Sequence, residues 1–275
     1  MSSHPSLGEL AAQIDDGALI AVPPEYSFVP MALVRALIAR GARDLHVLAV
    51  PIGGMAVDML VGAGCAAVVE AAAVSLGEAG PAPRFTEAVE NGRITMRDST
   101  CPAIHTALQA SEKGVPFMPL GGVIGSDVIA HRDDWRVIDD PMQKGGGPIL
   151  LLPAIKPDVA IFHSPMADRD GNVWIGRRRE LMTMAHAAKQ TFVTVEQITD
   201  DDLLADEDTA GSTLPALYVS AVAEAREGCK PLGLTGHYEA DRAAIGSYAE
   251  AARTEEGFRA YLEQAGLDAP GMAAE

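Results

Sequence analysis

Between residues 18 and 72, short apolar runs alternate with helix-like stretches, and glycines punctuate the turns. Ala18–Val22, Leu45–Pro51 and Ala66–Ala72 have the unbroken aliphatic character of strands buried on both faces. Between the first two, Leu33, Val34, Leu37 and Ile38 recur at helical spacing as far as Arg40. Pro30 suits the first turn of that helix and Gly41 its end. A second helix, Ala56–Ala63, stops at Gly64. This alternation calls for βαβ units and a largely parallel sheet.

The same reading places helices at Ser6–Asp15, Pro83–Asn91, Pro102–Lys113, Leu181–Lys189 and Gly257–Ala265, and strands at Ile94–Arg97 and Thr191–Glu196. Val219–Ala225 is a further short element. Pro116–Asp127 and Asp133–Pro148 read as loops, the second exposed and ending in Gly145-Gly146-Gly147. The acidic stretch Thr199–Thr213 reads as a solvated linker. With no internal repeat and no convincing boundary, residues 1–275 read as one α/β domain.

Charge narrows the partners. A net charge of −17 disfavours nucleic acid and anionic membrane surfaces. Cys65, Cys101 and Cys229 lie far apart without metal-type spacing, which suits a reducing compartment, and the scattered histidines suggest no metal site. Met1-Ser-Ser-His-Pro5 lacks a secretory pattern, and no apolar run nears the roughly 20 residues of a membrane span. The expected location is cytoplasmic.

In an open parallel sheet, ligands gather where the strands end. That directs attention to the loops Pro23–Pro30, Pro51–Gly54 and Ser75–Gly80. The first offers Glu25, Tyr26 and Ser27, the second Gly53 and Gly54, the third Ser75 and Gly77. Gly121, Gly122 and Gly125, before Ser126-Asp127, form a turn whose backbone amides can face an anionic oxygen, though the spacing is that of no standard phosphate loop. Ser99 and Thr100 are helix-capping types ahead of Pro102, and Cys101 between them sits at a helix start, where a thiol can be activated. Glu25 and Cys101 are the catalytic candidates, each weighed against an exposed loop carboxylate and a structural cysteine.

The most specific stretch is LLPAIKPDVAIFHSPMADRDGNVWIG, residues 151–176. A proline-bracketed Lys156 leads into a buried-type strand ending at His163, then a turn carrying Asp168, Asp170 and Asn172, then Val173–Ile175. His163 reads as a hydrogen-bonded structural histidine. The Asp/Asn turn reads as side chains bonding their own backbone rather than as a calcium loop. Arg177-Arg178-Arg179 is either a solvated patch or a contact for phosphates or an acidic partner.

The run PA-x-x-PD-x-A-x-x-H…D-x-x-GN in this stretch resembles the α-subunit type of the class I coenzyme A transferases, as in the A-type chain of glutaconate CoA-transferase and the α-chain of 3-oxoacid CoA-transferase. Met31–Gly41, Pro116–Asp127 and the tail Gly228…Pro231…Tyr238…Asp241 extend the likeness over nearly the whole chain. It implies a three-layer open, mostly parallel sheet with helices on both faces, and an α₂β₂ assembly with a β-subunit. It implies transfer of CoA from an acyl-CoA thioester to a carboxylic acid, with the thioester as substrate and no permanently bound cofactor. In such enzymes a glutamate of the β-type chain is the nucleophile, so none is assigned here. This chain is expected to supply one wall of the cleft through Glu25, Tyr26, Ser27, Gly53, Gly54, Ser75, Gly77, Gly121, Gly122, Gly125 and Ser126.

Two departures from the family pattern stand out. Relatives carry a Gly-Gly-Phe-type turn after the first strand, where this chain has Val22-Pro23-Pro24-Glu25, and prolines donate no N–H. In the ring-cleaving hydrolase branch, Cys101 stands about where a functional glutamate falls. The resemblance leaves three readings open: transferase subunit, acyl-CoA hydrolase subunit, or a non-catalytic acyl-CoA-binding scaffold.

Overall fold

A computed structural model describes residues 4–267. Ser6 opens α1 (Leu7–Ala12) with a reciprocal cap: its hydroxyl accepts the Glu9 N–H, and the Glu9 carboxylate accepts the Ser6 N–H at 2.8 Å. β1 (Leu19–Val22) passes through a proline-rich turn into α2 (Met31–Arg40), which buries Met31, Leu33, Val34, Leu37 and Ile38. Pro30 precedes the first helical residue rather than occupying the first turn. Gly41, at φ 71°, adopts the left-handed conformation that closes the helix. The alternation continues through β2 (Leu45–Ala49), β3 (Ile52–Gly53), α3 (Met55–Gly62), β4 (Ala66–Ala71), β5 (Ala73–Val74), α4 (Pro83–Glu90), β6 (Thr95–Asp98) and α5 (Cys101–Glu112).

The next segment departs from expectation. The two stretches read as loops contain β7 (Phe117–Leu120) and β8 (Arg136–Asp139), which flank β9 (Pro148–Pro153) in a separate antiparallel sheet. All four side chains of β8 are exposed, so the strand shows no buried alternation by which to recognise it. A small second core lies under this sheet, built from Ala103, Trp135, Leu150 and Leu152.

The chain then returns to the main sheet with β10 (Val159–Asp168), β11 (Val173–Trp174), α6 (Arg179–Ala187), β12 (Gln190–Thr199), α7 (Glu207–Ala210), β13 (Thr213–Leu214) and β14 (Ala221–Glu224). Two helices close it, α8 (Arg242–Ala251) and α9 (Glu255–Gln264). The sequence offers little sign of α8: it is rich in Ala and buries only Tyr248 and Ala249.

The parallel strands run in the order β14-β12-β10-β1-β2-β4-β6, flanked by helices, with β11 and β13 added antiparallel beyond the end of β1. Strand order therefore reverses between β1 and β10: successive strands step away from β1 on one side and from β10 on the other. The crevice outside the carboxyl ends at such a reversal is where open α/β sheets bind ligands. Here it is occupied by the Pro23–Pro30 turn, which the His163 N–H fastens to β10 by donating to the Phe28 carbonyl at 2.7 Å.

Two polar clusters fix the parts around that crevice. Glu70 of β4, almost fully buried, pairs with Arg132 at 2.8 Å, and Arg132 also binds both Asp134 oxygens and the Asp98 carbonyl. These contacts tie the small sheet to the ends of β4 and β6. In the turn after β10, Asp168 accepts four bonds, from the Asp170, Asn172 and Leu203 backbone N–H groups and the Asn172 amide. Asn172 in turn accepts the Ala216 N–H. The D-x-x-GN run is thus a structural staple of the kind expected.

Candidate functional site

The turn after β1 presents its side chains in different directions. Glu25 points toward α3, where its Oε1 accepts the Met55 N–H at 2.5 Å, at the amino end of the helix. A Cβ at position 54 would collide with the Glu25 carboxyl, so a larger residue there requires the Glu25 side chain to move. Burial raises the affinity of the Glu25 carboxyl for its proton, the Met55 N–H opposes this, and the nearby Asp58 adds to it. Asp58 is itself buried and is held by the Tyr248 hydroxyl at 2.6 Å and the Phe85 N–H at 2.8 Å, so α8 is pinned beside this corner.

Glu25 lines a cavity of about 380 Å³. Its walls come from Leu76, Gly77 and Ala79 after β5, and from Ala240, Ile245 and Gly246 around the start of α8. Arg242 and Glu78 pair across its rim at 2.8 Å. Of the three loops expected at the carboxyl edge, those after β1 and β5 line this cavity. Pro51–Gly54 touches both of them without lining it, through Gly54 and Met55 beside Glu25 and the Gly53 carbonyl bonded to Ser75. The contribution of α8 is an addition that no feature of the sequence pattern foretells.

Tyr26 turns the other way and is 58% exposed. Partial burial pushes its phenol up, the charges of Glu180 and Cys101 add to this, and Arg178 opposes. Those groups therefore stand close by, at the amino ends of α5 and α6. His105, one turn into α5, is lowered by burial against the pull of Glu180. Cys101 is exposed, while Cys65 and Cys229 are buried with thiols pushed up to about 12. Arg178 lies 5.3 Å from the Phe28 ring and bonds the Thr235 hydroxyl, whereas Arg177 and Arg179 remain exposed.

Other candidates separate. Ser27 is fully buried with no hydrogen-bond partner for its hydroxyl, and its N–H is spent on the Pro24 carbonyl. With Pro23 and Pro24 lacking N–H groups, the turn from 23 to 27 keeps at most the Glu25 and Tyr26 amides for a ligand. Gly53 is buried against Val57 and Val74, whereas Ser75 and Gly77 are exposed. Gly121, Gly122, Gly125 and Ser126 are exposed on the small sheet's side of the molecule, and Ser126 caps the following short helical turn. Glu25 and Gly77 share the cavity and Gly54 packs against Glu25 behind it; the glycine turn of 121–125 is not part of that cavity.

Behind the β1 turn lies a polar hub whose central member, Glu196, has the sequence signature of an ordinary strand residue. His163 is fully buried, with Nδ1 2.8 Å from Thr194 Oγ1 and Nε2 2.9 Å from Glu196 Oε1. Glu196 also accepts the Tyr238 hydroxyl at 2.7 Å and the Glu227 and Gly228 N–H groups at 2.6 and 3.1 Å. This network assigns the imidazole its Nε2 proton, donated to Glu196, with Nδ1 accepting from Thr194. Burial keeps the ring's proton affinity low. The Glu196 carboxyl is lowered to about 2, its burial outweighed by bonds from His163, Tyr238 and Glu227. Both ring nitrogens are engaged, so His163 acts as the structural anchor expected, although β10 runs on to Asp168 instead of ending at His163. Tyr238 and Pro231 belong to the same construction, and Asp241 caps α8 through the Ala244 N–H.

A family model for coenzyme A transferase matches residues 5–225. The chain belongs to the coenzyme A transferase family. Among curated proteins it is 29% identical over 258 residues to the A subunit of 3-oxoadipate CoA-transferase from Pseudomonas knackmussii, covering 91% of this chain and 88% of that one. It is 30% identical over 253 residues to the A subunit of glutaconate CoA-transferase from Acidaminococcus fermentans, covering 86% and 78%. The crystal structure of the latter enzyme superposes with a TM-score of 0.86 at 27% identity, over 94% of this chain and 87% of that one. An uncharacterized protein of Archaeoglobus fulgidus is 32% identical over 240 residues; these cover 86% of this chain but 52% of that longer one. The fold and the α-type character implied by residues 151–176 are therefore correct.

Among the described residues no helix is long and apolar enough to cross a membrane, and no group of three or more His, Cys, Asp or Glu side chains is arranged to hold a metal ion.

Proposed function

We propose that this chain is the A-type subunit of a two-chain CoA-transferase that moves CoA from an acyl-CoA thioester to a free carboxylic acid, with the nucleophilic glutamate on the B-type partner. The observation that carries this reading is the cavity beside the β1–β10 reversal. It is walled by the loops after β1 and β5, yet both of its carboxyls are already engaged, Glu25 by the Met55 N–H and Glu78 by Arg242. The likeness to two proteins named as A subunits of CoA-transferases supports it.

In the reaction the partner's carboxylate attacks the thioester carbonyl and CoA leaves as its thiolate, giving a mixed anhydride. The thiolate then attacks the enzyme-derived carbonyl of that anhydride, releasing the donor acid and leaving CoA on the partner's glutamate. The acceptor carboxylate runs the same two steps in reverse. This chain's part is to hold the acyl group against the walls formed by Leu76, Gly77, Ala79 and Ile245. The amides of Glu25 and Tyr26, and the exposed turn Gly121–Ser126, offer hydrogen bonds to the thioester and to CoA. Glu25 and Cys101 border the site without forming a covalent bond. CoA enters as substrate, and the assembly is a cytoplasmic α₂β₂ complex.

The test is to incubate the two-chain complex with acyl-CoA and weigh each chain. The expected result is a CoA adduct on the partner and none on this chain. A CoA or acyl adduct on this chain would overturn the assignment.

A further inference from the structure

Charge is distributed unevenly around the cavity beside α8. Leu76, Ala79, Ala240 and Ile245 give it apolar walls, and its volume of about 380 Å³ lies at the small end for a ligand cavity. Two carboxyls and one guanidinium line it, those of Glu25, Glu78 and Arg242. Glu78 and Arg242 neutralise each other at the rim, where both side chains are 82% exposed. That leaves Glu25, which has no ion-pair partner among the described residues and accepts the Met55 N–H. Asp58 stands behind it, fully buried and close enough to push the Glu25 carboxyl up. Arg84, whose charge reaches Asp58, donates instead to the Ala252 and Arg253 carbonyls.

An acyl group seated against these walls lies beside Glu25. A carboxylate at its far end would lose water and meet like charge in a mostly apolar site, which opposes binding. A methyl or branched alkyl end meets no such opposition and gains by burial against Leu76 and Ile245. We propose that this cavity selects short acyl groups with an uncharged, apolar far end over those of dicarboxylic acids, with Glu25 as the specificity-determining residue, an inference that rests on the function proposed above. The rim cation does not reverse the preference. A substrate carboxylate that reached Arg242 would have to displace Glu78, which exchanges one carboxylate for another.

The test offers the two-chain complex valeryl-CoA and glutaryl-CoA, which match in length and differ at the far end by a methyl against a carboxylate. The rate at which CoA appears on the partner, read by intact-protein mass spectrometry, measures acceptance of each. Wild type should react with valeryl-CoA roughly tenfold faster or more. Glu25→Gln keeps an oxygen for the Met55 N–H and removes the charge, and should narrow the ratio of the two rates at least threefold. Gly246→Leu tests whether the acyl group enters this cavity at all. A Cβ at position 246 meets open space, so the leucine should fill the cavity and slow valeryl-CoA at least fivefold relative to acetyl-CoA. Thermal melting reads the fold of both variants, and the wild-type ratio needs neither. Glutaryl-CoA accepted as well as valeryl-CoA, or better, overturns the specificity proposal while leaving the proposed function standing. An unchanged ratio in Glu25→Gln overturns the role of Glu25, and unchanged chain-length preference in Gly246→Leu overturns the choice of cavity. No CoA on the partner from acetyl-, valeryl- or glutaryl-CoA overturns the proposed function and this inference together.

Discussion

Replacing Glu196 by Gln removes one negative charge from the hub behind the β1 turn while keeping an oxygen that accepts hydrogen bonds. The carboxyl falls from its ordinary 4.5 to about 2 in the folded chain, a differential of about 3 kcal/mol at about 1.4 kcal/mol per unit. The side chain is 18% exposed, and the water reaching it reduces the expected loss to about 2 kcal/mol. For a chain of this size that is a fall in melting temperature of about 4–8 °C at pH 7. The sign of the pH dependence follows from the lowered value. The stabilisation is complete above 4.5, where the unfolded carboxyl is also ionised, and is lost as pH falls toward about 2. Melting curves of wild type and Glu196→Gln from pH 7 to pH 3 should therefore converge as the pH drops. An unchanged melting temperature at pH 7, or a gap that is the same at pH 3 and pH 7, would refute the reasoning.

Other outcomes follow from the same geometry. Asp168→Ala leaves three backbone N–H groups and the Asn172 amide without their acceptor; urea unfolding should show a loss of about 2–4 kcal/mol, and a loss below about 0.5 kcal/mol would contradict the staple role. Gly54→Ala drives a Cβ into Glu25 and should cost about 1–3 kcal/mol by urea unfolding, whereas Gly54→Ala/Glu25→Ala should recover most of that. Arg132→Met removes the closest partner of the buried Glu70, leaving Arg97 at 3.5 Å and His46 at 3.3 Å, and should destabilise by about 2–3 kcal/mol, with faster hydrogen exchange in 127–153 before the rest of the chain. Iodoacetamide on the native chain should modify Cys101 alone, because Cys65 and Cys229 are buried; rapid labelling of either buried thiol would contradict the packing.

Residues whose role is written in local pattern are legible in the sequence alone. The strands β1, β2 and β4 announce themselves as unbroken aliphatic runs, and Gly41 and Gly64 mark real helix ends because a left-handed backbone suits glycine. The Asp168–Asn172 turn is legible because its bonds are local. What stays hidden depends on partners distant in sequence. Glu196 looks like any polar residue at a strand end until Tyr238 and Gly228 fold onto it. Ser27 belongs to a loop yet is buried under it, which no periodicity reveals. β8 and α8 are short of buried side chains, so their tertiary neighbours rather than their patterns define them. The cavity is legible in halves: the loops after β1 and β5 can be paired by topology, but the wall from α8 arrives from more than 150 residues away.

The central claim is that this chain completes a transferase and not a hydrolase. The most direct measurement is the fate of CoA when the purified two-chain complex meets acyl-CoA with and without an acceptor carboxylic acid. A transferase should form a new acyl-CoA when acceptor is present, and without it release no free thiol beyond a single turnover. Sustained release of free CoA in the absence of acceptor would contradict the claim.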